Sequence, residues 1–144
     1  RDLVYMANHG WETCGIDYIP AALNKYKQLS SRNGVPARAL EMDLEKDPQS
    51  FVELNEQFEL IQVFRYLHRP MLGLLEPKIL PGGYLIYQTF VEGCEVFGKP
   101  KRPRFILKYG ELASHFSSFE ILVDKKVILD DGRPTNLFIA RKHQ

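Results

Sequence analysis

The sequence predicts an α/β fold with a mostly parallel sheet that closes on a C-terminal antiparallel hairpin. Three observations predict it. Short apolar runs alternate with segments whose apolar residues recur at helical spacing, the pattern of βαβ units. Residues 58–64 (FELIQVF) form a near-continuous apolar run, which predicts a strand buried on both faces. Two apolar stretches in the tail, 119–129 and 135–141, are joined by Asp130-Asp131-Gly132-Arg133-Pro134, a turn by composition. At 144 residues the chain is one domain's worth, enough for one ordinary core.

The elements follow in order. Thr13-Cys14-Gly15-Ile16-Asp17 is a short apolar run closed by an acid and predicts a strand. Pro20 suits the first turn of a helix over 20–28, whose Ala21, Ala22, Leu23, Tyr26 and Leu29 recur at helical spacing; Asn33-Gly34 stops it. Residues 37–42 predict a second strand, again closed by an acid, Asp43. Asp47-Pro48 opens a short helix through Phe51, Val52 and Leu54. After the 58–64 run, helical spacing covers 69–79, Pro81-Gly82-Gly83 predicts a turn, and 84–90 (YLIYQTF) predicts another buried strand. Residues 91–104 read as a loop rich in Gly, Pro and basic residues, and 110–116 as one helix. No internal repeat or low-complexity tract is present.

Composition excludes several classes of function. Hydrophobic residues make up 44% and charged residues 26%, which argues against disorder. The 19 Lys+Arg against 18 Asp+Glu leave a net charge of +1, so no global field draws the chain to nucleic acid or an anionic membrane. No apolar run is long enough for a transmembrane helix. Cys14 and Cys94 cannot build a disulfide framework and read as reduced core thiols. His9, His115 and His143 are scattered, and no His/Cys spacing suggests a metal. Reduced thiols and the absence of a targeting signal predict a cytoplasmic protein. The start at Arg1-Asp2, without Met and running into an apolar segment, reads as a cut edge.

In parallel α/β sheets ligands bind beyond the carboxyl ends of the strands, so the residues just after each strand carry the candidate chemistry. Asp17, followed by Tyr18 and Ile19, can accept two hydrogen bonds from a ribose diol; it can equally cap the Pro20 helix. Asp43, followed by Leu44, can accept from an adenine amino group, or serve as a loop acid. Arg65-Tyr66-Leu67-His68-Arg69-Pro70 places two arginines, a histidine and a tyrosine at one strand end. Arginine suits bidentate carboxylate or phosphate binding and histidine suits proton transfer near neutrality; the bland alternative is a helix start with surface ion pairs. Residues 99–104 (KPKRPR) are basic enough for phosphate contact. With one bordering aromatic, Phe105, they read more simply as a solvated loop.

With these residues in place, the chain resembles class I S-adenosylmethionine-dependent methyltransferases, and most closely the tellurite-resistance-like branch. Gly10-Trp11-Glu12 through Gly15-Ile16-Asp17 resembles the second strand and its ribose-binding acid, and Met42-Asp43-Leu44 the adenine-contacting segment. Phe64 through Pro70 resembles the segment after the fourth strand, and Leu80-Pro81-Gly82-Gly83 the turn before the fifth. Gly93 through Pro103, with Leu107 through Leu112, resembles the substrate-side loop and its helix. Arg1-Asp2-Leu3 resembles the segment just after the family's glycine-rich loop. The resemblance implies a Rossmann-like three-layer sandwich in a single domain over 1–144. The family's first, central strand and its glycine-rich turn would lie upstream of Arg1, so the chain as it stands is expected to hold cofactor poorly.

The resemblance also implies roles. S-adenosylmethionine would contact Asp2, Asp17, Tyr18, Ile19, Asp43, Leu44, Val63 and Phe64. Methyl transfer would be an in-line displacement to a small-molecule acceptor, needing orientation rather than a covalent intermediate. His68, Tyr66 and Arg65 are the catalytic candidates, orienting or deprotonating an acceptor that carries a proton. Arg65 or Arg69 would hold an anionic acceptor, and Phe90, with Phe97 and Phe105, would line an apolar pocket. No metal is implied. Two rivals stand beside this reading: a non-catalytic methyltransferase-like module that binds a protein, and an RNA methyltransferase docking through residues 99–104. The Asp/Asn-Pro-Pro-Tyr/Phe tetrapeptide of base amino-methylation is absent; Arg65-Tyr66-Leu67-His68 stands in its place, which argues against RNA.

Overall fold

The computed structural model describes residues 2–144, and Arg1 lies outside the described residues. The chain forms two compact units, one ending at Leu54 and one spanning Asn55–Gln144.

The first unit is built from helix α1 (Asp2–Asn8), strand β1 (Cys14–Asp17), helix α2 (Pro20–Arg32), strand β2 (Arg38–Glu41) and the short helix α3 (Pro48–Val52). β1 and β2 pair in parallel, with Cys14 opposite Arg38 and Asp17 opposite Glu41. Parallel pairing requires a crossover, and α2 supplies it. Pro20 sits in the first turn of α2, and Asn33 ends the helix, its Nδ2 donating to the Leu29 carbonyl at 2.8 Å. Leu23 and Tyr26, three residues apart, turn inward, and the Tyr26 hydroxyl lies 2.6 Å from Thr13 Oγ1. Gly15 is glycine because helices crowd β1: a Cβ there would lie 3.0 Å from Leu3 Cδ1 and 3.3 Å from the Tyr26 ring. Asp47 caps α3 by accepting from the Ser50 amide at 3.3 Å, as Asp-Pro predicts.

The second unit contains β3 (Phe58–Phe64), α4 (Arg69–Leu75), β4 (Ile79–Phe90), α5 (Glu111–His115), β5 (Glu120–Ile128) and β6 (Pro134–Arg141). Its sheet runs β3-β4-β6-β5. β3 and β4 are parallel, and β6 is antiparallel to both β4 and β5. Period-two burial marks β4, where Ile79, Gly83, Leu85, Tyr87 and Thr89 face the core. α4 contributes Met71, Leu72 and Leu75, and α5 contributes Leu112. Phe116 anchors the centre, edge-on to Phe119 with centroids 5.5 Å apart and 6.0 Å from the Phe138 ring. Three large aromatics thus interlock where the sheet meets α5.

The α/β class and the C-terminal hairpin are as the sequence predicts, while several local readings are corrected. The helix expected over 69–79 stops at Leu75 and passes into a 3-10 turn, Glu76–Lys78, because Pro77 cannot continue an α-helix. The turn expected at Pro81-Gly82-Gly83 is an irregularity inside β4. Ladder pairing jumps from Phe58–Ile79 to Leu60–Tyr84, with Gly82 at φ 79°. The irregularity is held from the far side: Gly82 N–H donates to the Lys142 carbonyl at 2.9 Å, and Lys142 N–H to the Gly83 carbonyl at 2.8 Å. β3 is half-buried rather than buried on both faces. Among the described residues it is an end strand of its sheet and pairs with β4. No helix among the described residues is long and apolar enough to cross a membrane.

Candidate functional site

In the first unit the parallel pairing brings two acids to one sheet end. Asp17 is the last residue of β1, its carbonyl accepts from Met42 N–H at 3.0 Å, and Asp43 follows immediately. Each carboxylate uses one oxygen locally: Asp17 Oδ1 accepts from the Ile19 amide at 3.0 Å, and Asp43 Oδ1 from the Glu45 and Lys46 amides at 3.2 and 3.1 Å. The loop-capping role and the ligand role are therefore compatible, since the second oxygen of each has no hydrogen-bond partner among the described residues. Tyr18 and Ile19 project outward, 60% and 44% exposed, while Leu44 is half-buried and Asp2 is exposed at the start of α1.

In the second unit the segment after β3 departs from ordinary backbone. Phe64 pairs with Gln88, and Arg65 N–H then donates to the Gln88 carbonyl at 2.9 Å. Arg65 itself turns into the left-handed region at φ 52°, which bulky non-glycine residues seldom adopt and which costs about 1 kcal/mol. Val63 is half-buried and Phe64 is 39% exposed. Beyond the turn, Leu67 is buried and His68 takes the N-cap position of α4 without a side-chain cap bond.

The backbone at Tyr66 is held by Tyr87, a residue that carries no distinguishing mark in the sequence. Its buried hydroxyl donates to the Tyr66 carbonyl at 2.7 Å. Burial first, then the neighbouring Tyr66 and Glu111, push its pKa above the ordinary tyrosine value, so it stays a donor at every physiological pH. Tyr87→Phe is expected to remove about 1 kcal/mol of stability, read as a lower urea midpoint with an unchanged slope. An unchanged midpoint would show that the bond holds nothing.

Arg69 is occupied within the fold. Its Nε and Nη2 bind Glu111 bidentately at 2.7 and 3.0 Å. Nη2 also donates to the Ile106 carbonyl at 2.8 Å, and Nη1 to the Pro103 and Arg104 carbonyls at 3.3 Å. The hydrogen bond to Glu111 raises the Arg69 pKa and, reciprocally, holds the Glu111 carboxyl below its usual value. Arg69 thus ties α4 to the 103–106 segment and the start of α5.

Arg65 behaves differently. Its guanidinium lies over the Phe90 ring, 5.9 Å from the centroid, and makes no hydrogen bond or ion pair among the described residues. Phe90 is 8% exposed and forms a small core with Cys94, Ile106 and Leu129. Phe97, 59% exposed, packs against the Gly132 turn rather than into a pocket, and Phe105 lies beneath Arg104 at 4.5 Å. The basic loop is partly self-engaged, with Lys101 Nζ donating to the Glu95 carbonyl at 3.0 Å. Cys94 is a free, buried thiol whose pKa is raised by burial, and Cys14 is likewise free of disulfide. Among the described residues no cluster of His, Cys, Asp and Glu could hold a metal ion. A cleft of about 210 Å³ between Val91, Tyr109, Asp124, Lys126 and Asn136 contains none of the residues singled out from the sequence.

No family model and no curated protein sequence matches the chain. Solved structures do. TehB from Haemophilus influenzae is similar with a TM-score of 0.77 at 14% identity, over 96% of this chain and 52% of that one. Magnesium protoporphyrin IX methyltransferase (ChlM) from Synechocystis PCC 6803, solved with bound SAM, is similar with a TM-score of 0.66 at 15% identity, over 96% and 63%. The [4+2]-cyclase SpnF gives a TM-score of 0.70 at 12% identity, over 97% and 69%. The chain spans about half the length of the TehB protein it matches. What these similarities share is architecture, and the chain has the fold of the S-adenosylmethionine-dependent methyltransferases.

Proposed function

We propose that the chain works as an S-adenosylmethionine-dependent methyltransferase and that it acts on a small-molecule acceptor. The observation that carries this reading is the pair Asp17 and Asp43: consecutive parallel strands, same end, each with one carboxylate oxygen fixed by a loop amide and one open. That set of acceptors fits a nucleoside, whose ribose hydroxyls and adenine amino group are all hydrogen-bond donors. Within the first unit Asp17 takes the ribose, with Tyr18 and Ile19 beside it, Asp43 and Leu44 frame the adenine, and Asp2 is a further candidate contact.

When bound, the cofactor supplies an electrophilic methyl group on a sulfonium. The chain's own work is orientation and proton handling. His68 and Tyr66, on the segment fixed by Tyr87, orient an acceptor and take its proton if it carries one.

The reading is tested by calorimetric titration of S-adenosylhomocysteine into this chain and into a form extended upstream through the glycine turn. Binding by the extended form is expected, and Asp17→Ala should weaken it about a hundredfold or more, the worth of two hydrogen bonds to a carboxylate. Failure of both folded forms to bind would overturn the assignment.

A further inference from the structure

Two guanidinium groups converge on one ring in the second unit. Arg65 Cζ lies 5.9 Å and Arg133 Cζ 4.6 Å from the centroid of Phe90. They come from distant parts of the chain, one from the turn after β3 and one from the β5–β6 turn. Arg133 is fixed: its Nε donates to Asp131 Oδ2 at 2.8 Å and its Nη1 to the Lys99 carbonyl at 2.6 Å. Its Nη2 has no partner among the described residues. Arg65 is fixed by backbone rather than by side chain. Its left-handed turn and the bond from its N–H to Gln88 aim it back over Phe90, and all its guanidinium donors remain open among the described residues. Asp131 is held below its ordinary pKa by hydrogen bonds from Arg133 first and by the nearby charges of Arg133 and Arg65, which places all three groups in one electrostatic cluster. The hydrogen bonds of that carboxylate go to Arg133, so the guanidinium donors of Arg65 stay open beside it. On the Arg133 side, the exposed ring of Phe97 lies against Gly132, where an added Cβ would come within 2.8 Å of the ring.

We propose that Arg65, assisted by Arg133, is the anion-binding subsite of the acceptor, and that the acceptor is a planar small-molecule carboxylate. The proposal rests on the methyltransferase reading and narrows its substrate class. A guanidinium whose one face is covered by an aromatic ring presents its N–H edge, and a carboxylate matches that edge bidentately. The buried Phe90 ring lowers the local dielectric beneath the cations, which strengthens the contact relative to an arginine in open water. The apolar body of the ligand then has the Phe97 ring to lie against. Arg69, named with Arg65 from the sequence, is not the anion's partner because Glu111 and three carbonyls already hold it.

The probe is benzoate, with benzamide as its uncharged counterpart and acetate as its counterpart without a ring. Each is titrated into the full chain and followed by NMR of the arginine Nε–H signals. Saturable benzoate binding that shifts Arg65 Nε–H, with benzamide and acetate each about tenfold weaker, is the expected result. Arg65→Met should weaken benzoate about tenfold, and Arg65→Lys, which keeps charge but not the bidentate edge, should fall between. Equal binding by wild type and both variants, or equal affinity for benzoate and benzamide, would overturn the subsite. S-adenosylhomocysteine titrated into the upstream-extended form separates the two ideas. If it binds and benzoate shows no selectivity, the subsite fails and the methyltransferase reading stands. If benzoate is selective and S-adenosylhomocysteine does not bind, the acceptor assignment falls with the reading beneath it.

Discussion

Arg69→Met is expected to lower the stability of the second unit by about 2 kcal/mol and to abolish one step of its acid sensitivity. The substitution keeps the apolar stem and removes donors to both Glu111 oxygens and to the carbonyls of Pro103, Arg104 and Ile106. A hydrogen bond to a charged group contributes about 1.5–3 kcal/mol. The Arg69 side chain is 37% exposed, so solvent screening places the figure toward the lower end. The acid effect has a definite sign. Glu111 is held below its ordinary pKa, chiefly by Arg69, so its contribution is full above the unfolded-state value of about 4.3 and is lost as pH falls through the folded value. Urea titrations followed by far-UV circular dichroism, repeated from pH 7 down to pH 3, read both effects. The midpoint of the wild type should fall over the acid range more than that of Arg69→Met. Parallel pH curves for the two proteins would show that the pair contributes nothing. Trp11, the chain's one tryptophan, lies in the first unit, so its fluorescence serves as an internal control.

Gly83→Ala is expected to destabilise the same unit by about 2–3 kcal/mol. A Cβ at this buried position would lie 2.9 Å from the Glu59 carbonyl oxygen, 2.9 Å from the Leu80 carbonyl oxygen and 2.9 Å from Ile79 Cγ2. Two of those three atoms are backbone, and neither can retreat without opening the irregular β3–β4 pairing. Overpacking therefore acts on the sheet rather than on a side chain. Gly73 is the contrasting case: nothing lies within 4 Å of a Cβ there, and it sits inside α4. Gly73→Ala should raise stability by about 0.5–1 kcal/mol through helix propensity. Thermal melts of the two variants should thus move in opposite directions, and a shift of the same sign in both would refute the steric account.

Arg69 and Gly83 also mark the limit of what the sequence makes legible. The strand ends are readable because β1 closes on Asp17 and β2 is followed closely by Asp43, and local chemistry alone makes an acid at that place informative. β3 is readable to the residue because seven consecutive positions carry its pattern. Arg69 is not readable in the same way. It is conspicuous beside Arg65, and both look free until Glu111, 42 positions later, is brought beside one of them. Arg133 belongs to a stretch whose composition announces a turn, and nothing local signals that it faces Phe90. Pro81-Gly82-Gly83 carries every mark of a turn and lies within a strand, because the pairing of Gly82 and Gly83 with Lys142 is a long-range event. Local signals thus identify elements and strand-end acids. Which arginine is structural and which is open depends on contacts made across the fold.

The strand order β3-β4-β6-β5 has a consequence for how the protein is made. β6 is the last strand in chain order, yet it occupies an interior place, and β4 and β5 share no ladder except through it. While a ribosome is still translating the residues before Pro134, both flanking strands exist without their common partner. The inner faces of Leu85 and Tyr87, shut from solvent in the finished fold, stay uncovered by Phe138 and Ala140 until those residues have left the exit tunnel. The nascent second unit is thus obliged to wait for nearly all of its own sequence, and that waiting interval is where a holding chaperone has apolar surface to grip.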